Sequence, residues 1–178
     1  MSHEATGRCG YVHVYTGGGK GKTTAALGLA VRALGAGWRV FFAQFVKGMA
    51  SSELSSLRQL RGRIEVRQYG PHRFILCGPQ SADLRCAQQG LIECKAAMLS
   101  GEFQLVVLDE ANVAAALGLL SVDDLLDLIA CRPESVELVL TGRWAHPRIV
   151  ERADLVTEMR EVKHYYRRGV LARAGVEL

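Results

Sequence analysis

The sequence predicts an α/β protein with a largely parallel sheet and helices on both of its faces. Short apolar, β-rich runs alternate along the chain with segments of helical periodicity, which is typical of parallel sheets. The run at 38–45, WRVFFAQF, is apolar enough to be buried on both faces, as a central parallel strand is. The chain has 178 residues and is 49% hydrophobic, so it suits one domain with a packed core.

Each element follows from a local pattern. Strands are predicted at 10–15, 38–45, 64–68, 103–108, 136–140 and 155–159, and helices at 22–34, 51–60, 81–100, from 121 onward, and at 147–153. Gly35 and Gly37 end the first helix as C-cap glycines do. Ser81 opens the long helix and Gly101 closes it, and Ser121 starts a capping box. The basic tail 163–178 is expected to be irregular, with an edge strand at 176–178. Residues 1–9 are predicted to be a short flexible leader before a domain at 10–178.

Composition excludes several classes of function. Twenty-two basic and eighteen acidic residues give a net charge of +4, and no basic stripe indicates a nucleic-acid partner. No apolar run reaches the roughly 18 residues of a membrane span, and the N-terminus lacks the apolar core of a secretory signal. A cytoplasmic location is therefore expected. The five cysteines form no CxxC pair, so we expect reduced thiols and neither a disulfide framework nor a cysteine metal site.

The strongest functional signal is the segment 16–24, TGGGKGKTT, between the first predicted strand and the first predicted helix. A glycine-rich turn before a helix directs backbone N–H groups and partial positive charge at an anion. The segment matches G-x-x-x-x-G-K-[ST] except that Thr16 stands at the first glycine position. It predicts a P-loop that binds nucleotide phosphates, although a purely structural glycine turn is the alternative. The predicted ATP-binding residues are Thr16, Gly17, Gly18, Gly19, Lys20, Gly21, Lys22, Thr23 and Thr24.

A second signal is the apolar run 105–110, LVVLDE, which ends in two acids. A carboxylate at the end of a buried strand can reach the metal ion of a bound nucleotide. The sequence therefore predicts a Mg²⁺ site made by Thr23, Asp109 and Glu110. The alternative is that these acids only begin a helix, where acidic residues are common.

Two further cations follow predicted strands. Arg143, in the segment 141–146, could reach a phosphate and is counted among the ATP-binding residues, and Lys47 follows the second strand. For both residues an ordinary solvated side chain is an equal alternative. His146 and His164 are interpreted as loop histidines, because neither has a second ligand nearby in the sequence.

Taken together, these motifs resemble the P-loop ATP:corrinoid adenosyltransferases over nearly the whole chain. The segments that carry the resemblance are 15–35, QFVKG at 44–48, VVLDEANVAAALGLL at 106–120, ELVLTGRWAHP at 137–147 and 153–178. The resemblance implies transfer of the 5′-deoxyadenosyl group of ATP to the Co(I) of a corrinoid, with release of triphosphate. It also implies a homodimer and an electron donor that reduces Co(II). No protein nucleophile or base is needed, and Lys20, Lys22, Glu110 and the Mg²⁺ site are expected to stabilise the leaving triphosphate.

The apolar loop 69–79 is our candidate for the corrinoid site. Phe74 and Ile75 are expected to form a hydrophobic wall, with His72 and Arg73 meeting the polar side chains of the corrin. Many family members carry Gly-Phe-Thr-Trp here, whereas this chain has Arg-Phe-Ile-Leu. Cobalamin, cobinamide and cobyrinic acid diamide therefore all stay open as substrates. A loop that merely packs on the core is the alternative.

Two other functions stay open on the residues alone. A P-loop ATPase or small-molecule kinase would cleave at phosphorus and yield ADP, whereas the transferase yields intact triphosphate. A nucleotide-sensing module would bind ATP without turnover. Only the resemblance of QFVKG and of the 163–169 segment, KHYYRRG, favours the transferase.

Overall fold

A computed structural model describes residues 9–48, 52–59, 62–71 and 78–177 of the chain. Within these ranges the strands are β1 Val12–Thr16, β2 Val40–Phe45, β3 Ile64–Tyr69, β4 Leu105–Asp109, β5 Glu137–Thr141 and β6 Leu155–Glu158. The α-helices are α1 Lys22–Gly35, α2 Ser52–Gln59, α3 Ser81–Leu99, α4 Ala111–Ala116, α5 Val122–Ala130 and α6 Pro147–Arg152. A 3₁₀ helix at Tyr165–Arg168 follows.

The six strands form one sheet in the order β3-β2-β4-β5-β1-β6, and every adjacent pair is parallel. The predicted fold class is therefore confirmed. Every residue of β2 and β4 is buried, as expected for central parallel strands covered on both faces. The order places β5 between β1 and β4, so the phosphate loop and the acidic strand end are two strands apart.

The core lies in two layers, one on each face of the sheet. Successive residues of β2 alternate between them, so that Phe41 packs in one layer and Phe42 in the other. One layer contains alanines of α1 and leucines of α2, and the other contains residues of α3, α4 and α5. The prediction of helices on both faces is thus confirmed.

Most predicted element ends agree within about two residues, and the local caps explain them. Gly37 adopts φ 84° after α1, and Ser121 caps α5 by accepting the Asp124 N–H at 3.0 Å. The helix α3 begins at Ser81, as predicted, and its N-cap is Gln80. Gln80 is extended, and its N–H is accepted by the Asp83 carboxylate at 2.8 Å.

The predicted edge strand at the end of the tail is wrong over the described residues. Residues 174–177 form turns, and the N–H groups of Val176 and Glu177 both donate to the carbonyl of Arg173. Local hydrogen bonds therefore use the donors that a strand pairing would need. The predicted flexible leader covers residues 1–9. Residues 1–8 lie outside the described residues, and Cys9 is exposed.

No helix in the described ranges is both long enough and apolar enough to cross a bilayer. Four cysteines in the same ranges are free thiols: Cys9, Cys86, Cys94 and Cys131. Burial raises the pKa of the Cys94 thiol, so this residue behaves as a small core hydrophobe.

Candidate active site

The carboxyl ends of β1, β2, β4 and β5 meet at one edge of the sheet, where ligands of open parallel sheets bind. Their register aligns Gln44 of β2 with Asp109 of β4, and Tyr15 of β1 with Thr141 of β5. The residues that follow these strands are therefore neighbours in space. This edge holds the phosphate loop and both predicted acidic residues.

The phosphate loop is pressed against the chain that follows β6. Gly17 and Gly21 have φ of 96° and 117°, a region that favours glycine. A Cβ atom on Gly17 or on Gly19 would lie 2.5 or 2.7 Å from the carbonyl oxygen of Met159. The Gly19 N–H donates to that same oxygen at 2.7 Å. The glycines are thus required by packing against Met159 as well as by the shape of the loop.

Lys22 lies across the inside of the loop at the start of α1. Its ammonium donates to the carbonyl oxygens of Gly17 and Gly19 at 2.8 and 2.7 Å, and the residue is 8% exposed. Burial lowers the pKa of Lys22, and the nearby charge of Arg143 lowers it further. The loop therefore places a desolvated cation at its centre, where an anion gains most from it.

Asp109 joins the phosphate loop to the middle of the sheet. Its Oδ1 accepts hydrogen bonds from the hydroxyls of Thr23 at 2.9 Å and Thr141 at 2.6 Å. Its Oδ2 accepts one from the Gln44 amide at 3.0 Å. The carboxylate is fully buried, and these three donors compensate part of its desolvation. A buried carboxylate beside a threonine hydroxyl is a donor set that suits Mg²⁺.

Glu110 turns away from the strand with a left-handed backbone, φ 60°. Its N–H donates to Thr141 Oγ1 at 3.0 Å, and its carboxylate lies 3.5 Å from Lys47 Nζ. Burial raises the pKa of Glu110, the charge of Asp109 raises it further, and the positive charges of Lys47 and Lys22 oppose this. The two acids thus share one electrostatic site with two lysines.

Left-handed residues other than glycine cluster at this edge. Val46, Glu110 and Trp144 have φ between 59° and 66°, and they follow β2, β4 and β5 respectively. Such conformations cost on the order of 1–3 kcal/mol each and concentrate at functional sites. The backbone geometry therefore indicates a functional site at the same edge of the sheet as the side chains do.

The exits of β2 and β3 are packed backbone to backbone. Gly48 donates its N–H to the carbonyl of Pro71 at 3.1 Å, and a Cβ atom on Gly48 would lie 2.2 Å from the carbonyl oxygen of Gly70. This contact fixes the segment that carries Lys47. The predicted corrinoid residues His72, Arg73, Phe74 and Ile75 lie outside the described residues, but Pro71, which precedes them, is at this edge.

The structure brings together Lys22, Thr23, Asp109 and Glu110, as the sequence predicted. Arg143 and Thr24 are exposed. Lys20 points its ammonium at Glu177, 2.6 Å away, and not into the loop. Sequence reasoning gave no role to Gln44 and Thr141, although a polar residue near the end of an otherwise apolar strand was a usable signal.

One buried side-chain amide lies near the site. Asn112 of α4 is 1% exposed, and neither its amide nitrogen nor its oxygen has a hydrogen-bond partner in the described structure. A Cβ atom on Gly142 would lie 3.1 Å from Asn112 Cβ. The loop after β5 thus packs directly on this residue.

A family model described as ATP:corrinoid adenosyltransferase BtuR/CobO/CobP matches residues 8–178. The chain belongs to this family. The corrinoid adenosyltransferase of Pseudomonas aeruginosa is 37% identical over 169 residues, which cover 94% of this chain and 83% of that protein. The corrinoid adenosyltransferase of Escherichia coli K12 is 32% identical over 168 residues, with 94% and 85% coverage.

A solved structure shows the same kind of fold. The flagellar accessory protein FlaH from Methanocaldococcus jannaschii superimposes with a TM-score of 0.57 over 85% of this chain and 71% of that one. The two sequences are 14% identical, so this likeness concerns the fold alone.

As an ATP:corrinoid adenosyltransferase, the chain is an enzyme that transfers the 5′-deoxyadenosyl group of ATP to the cobalt of a corrinoid and releases triphosphate. The bond that breaks is between C5′ and oxygen. The site described above therefore has to hold a leaving group, not to activate phosphorus.

Proposed function

We propose that the loop 16–24 binds the triphosphate of ATP and that Lys22 stabilises the charge that develops on it. The observation that carries this proposal is the position of the Lys22 ammonium, which is buried and held by two carbonyl oxygens of the loop. A phosphate group offers these N–H donors a charged acceptor in place of neutral ones, and charge-assisted bonds are stronger. Lys20, Arg143 and the remaining loop residues complete the proposed ATP site.

We propose further that Thr23, Asp109 and Glu110 hold Mg²⁺ together with the phosphate oxygens. In the described residues no cluster of three or more His, Cys, Asp and Glu side chains is placed to bind a metal. Mg²⁺ sites in nucleotide enzymes use one or two carboxylates plus phosphate oxygens, so a hydroxyl and two acids fit. When bound, the ion would neutralise charge on the triphosphate.

No described residue is needed as a nucleophile, because the reduced cobalt of the substrate attacks C5′. The chain's contribution is then to fix the triphosphate and to align C5′ with the corrinoid at near-attack distance. The loop that contains His72, Arg73, Phe74 and Ile75 is proposed as the corrinoid site. Pro71, within the candidate loop 69–79, lies beside Gly48, one residue from Lys47, which supports a corrinoid site at this edge of the sheet. The homodimer, the electron donor for Co(II) and the cytoplasmic location stay predictions.

The test is anaerobic conversion of chemically reduced cob(I)alamin in the presence of MgATP, followed by its visible spectrum and by analysis of the phosphate product. Lys22→Ala is expected to abolish ATP binding, whereas Glu110→Ala keeps most of the affinity and loses rate. Glu102→Ala, which removes a surface ion pair with Arg39, is the matched control. Activity equal to that of the wild type in either site variant would contradict the assignment of the metal site. ADP in place of triphosphate would favour the ATPase or kinase alternative.

Cobinamide and the diamide precursor are tested in the same assay to find the preferred corrinoid. Phe74→Ala is expected to raise the KM for the corrinoid and to leave the affinity for ATP unchanged. A corrinoid response equal to that of the wild type would place the pocket elsewhere on the edge.

A further inference from the structure

Lys20 of the phosphate loop is held by the end of the chain. Its ammonium donates to Glu177 Oε1 at 2.6 Å, to the carbonyl oxygen of Val176 at 2.8 Å and to the Tyr165 hydroxyl at 3.4 Å. A lysine ammonium has three N–H donors and no acceptor. All three donors are therefore used, and Lys20 has none left for a phosphate oxygen in this arrangement.

Glu177 has further partners that do not depend on Lys20. Its Oε2 accepts from the backbone N–H of Arg173 at 3.0 Å, and the Arg173 guanidinium lies 3.3 Å from both carboxylate oxygens. The Tyr165 hydroxyl also bonds to the carboxylate, and the Arg173 guanidinium stacks on the Tyr165 ring. Together with the bond from Lys20, these contacts lower the pKa of Glu177, with Arg173 contributing most and Lys20 next. The carboxylate thus stays compensated if Lys20 leaves.

We propose that Glu177 positions Lys20 and that the triphosphate of a bound nucleotide competes with the Glu177 carboxylate for the Lys20 ammonium. This inference rests on the proposed ATP site of the loop 16–24. In the free protein the ammonium is paired to a carboxylate of the tail. In the complex it transfers to a phosphate oxygen, and Glu177 keeps Arg173 and Tyr165 as partners.

The geometry makes this exchange a side-chain movement. The loop backbone is held separately, because Gly19 donates to Met159 and Met159 donates to Thr16 at 2.8 Å. The Lys20 side chain is 39% exposed, so solvent gives it room to change rotamer. Lys20 precedes Lys22 by two residues, which places both cations on the same loop.

A double-mutant cycle on MgATP affinity tests the proposal, with dissociation constants measured by calorimetry. Glu177→Gln removes the competing charge and is expected to tighten MgATP binding about two- to five-fold, the range of exposed ion pairs. Lys20→Ala is expected to weaken binding. In the Lys20→Ala background, Glu177→Gln should have no effect, because the side chain for which it competes is absent.

Glu161→Gln is the matched control. Glu161, two residues before the tail 163–178, pairs with Arg167 of the tail, so its loss changes the net charge equally and leaves Lys20 in place. It is expected to leave MgATP affinity unchanged. Thermal unfolding of each variant shows whether it is folded, and Glu177→Asp, which keeps the charge on a shorter side chain, serves as a second variant if Glu177→Gln does not fold. Glu177→Asp is expected to bind MgATP more tightly than the wild type and less tightly than Glu177→Gln, because the shorter carboxylate competes less well for Lys20.

Magnesium tripolyphosphate is the second probe, because it presents the leaving group without the nucleoside. The proposal predicts the same tightening by Glu177→Gln for tripolyphosphate as for ATP. It is overturned if Glu177→Gln weakens binding, leaves it unchanged, or has the same effect without Lys20. If the wild type binds neither probe, the ATP site itself is wrong. If it binds both and the cycle shows no coupling, only the role of Glu177 is wrong.

Discussion

Replacing Thr141 by valine tests whether the hydroxyl network under the acidic pair holds the site together. Thr141 is fully buried at the end of β5. Its hydroxyl donates to Asp109 Oδ1 at 2.6 Å and accepts the N–H of Glu110 at 3.0 Å. Valine has nearly the same shape, so the substitution removes two hydrogen bonds and creates little change in volume.

The magnitude follows from these two bonds. A hydrogen bond to a charged group contributes about 1.5–3 kcal/mol, and a buried N–H left without a partner costs about 1–3 kcal/mol. The added methyl group recovers about 1 kcal/mol by burial. Thr141→Val should therefore lower the free energy of unfolding by about 1.5–5 kcal/mol.

Urea unfolding at neutral pH, followed by circular dichroism, measures this change. Thr157→Val is the matched control because Thr157 lies on β6, whose residues are all exposed, and it should change stability by less than about 0.5 kcal/mol. Thr141→Ser keeps the hydroxyl and should recover most of the loss. A Thr141→Val protein as stable as the control would refute the account of Asp109 and Glu110 given above.

Three further predictions concern the packing and titration of the same core. Gly48→Ala should destabilise by about 2 kcal/mol or more in urea unfolding, because its Cβ would overlap a backbone carbonyl, whereas Gly28→Ala, with open space around its Cβ in α1, should stabilise by up to about 1 kcal/mol. The Tyr69 hydroxyl donates to Glu93 at 2.5 Å and lowers the pKa of that carboxyl. The loss of stability in Tyr69→Phe should therefore be largest above the ordinary glutamate pKa, and it should vanish as the pH falls through the lowered pKa of Glu93. A loss independent of pH would contradict this. Asn112→Leu should keep or raise stability, since its amide has no partner in the described structure, and a loss above about 1 kcal/mol would show that the amide is bonded in solution.

The elements that the sequence predicted well are those fixed by neighbours in the chain. The strand β2 is apolar throughout, and α1 begins and ends at glycines, so both follow from local pattern. The helix α4, ANVAAA, was not predicted, because six residues after an acidic pair are too few to show a helical period. The strand order depends on contacts between distant parts of the chain, so no local sequence pattern predicts it.

The candidate site shows the same division. Thr23 and Asp109 were predicted to share one site because both follow strands of a parallel sheet, and they are hydrogen-bonded. The partners of Lys20 could not be predicted, because Glu177 is 157 residues away in the sequence. Likewise, the sequence explained the glycines of the loop by phosphate binding alone. The structure shows that Gly17 and Gly19 also lie too close to the backbone of Met159 to carry a side chain.

The site depends on neighbouring strands more than on its own loops. The left-handed backbones of Val46, Glu110 and Trp144 together cost several kcal/mol, a large part of the stability of an ordinary domain. Glu110 is held by Thr141 on the adjacent strand. In the loop that carries Trp144, the N–H of Ala145 donates to the Thr16 hydroxyl of β1 at 3.3 Å. The segment after Val46 is held against the exit of β3. Because each strained residue is fixed from another strand, small losses of packing at this edge should release the site geometry before the fully buried strands β2 and β4 unfold.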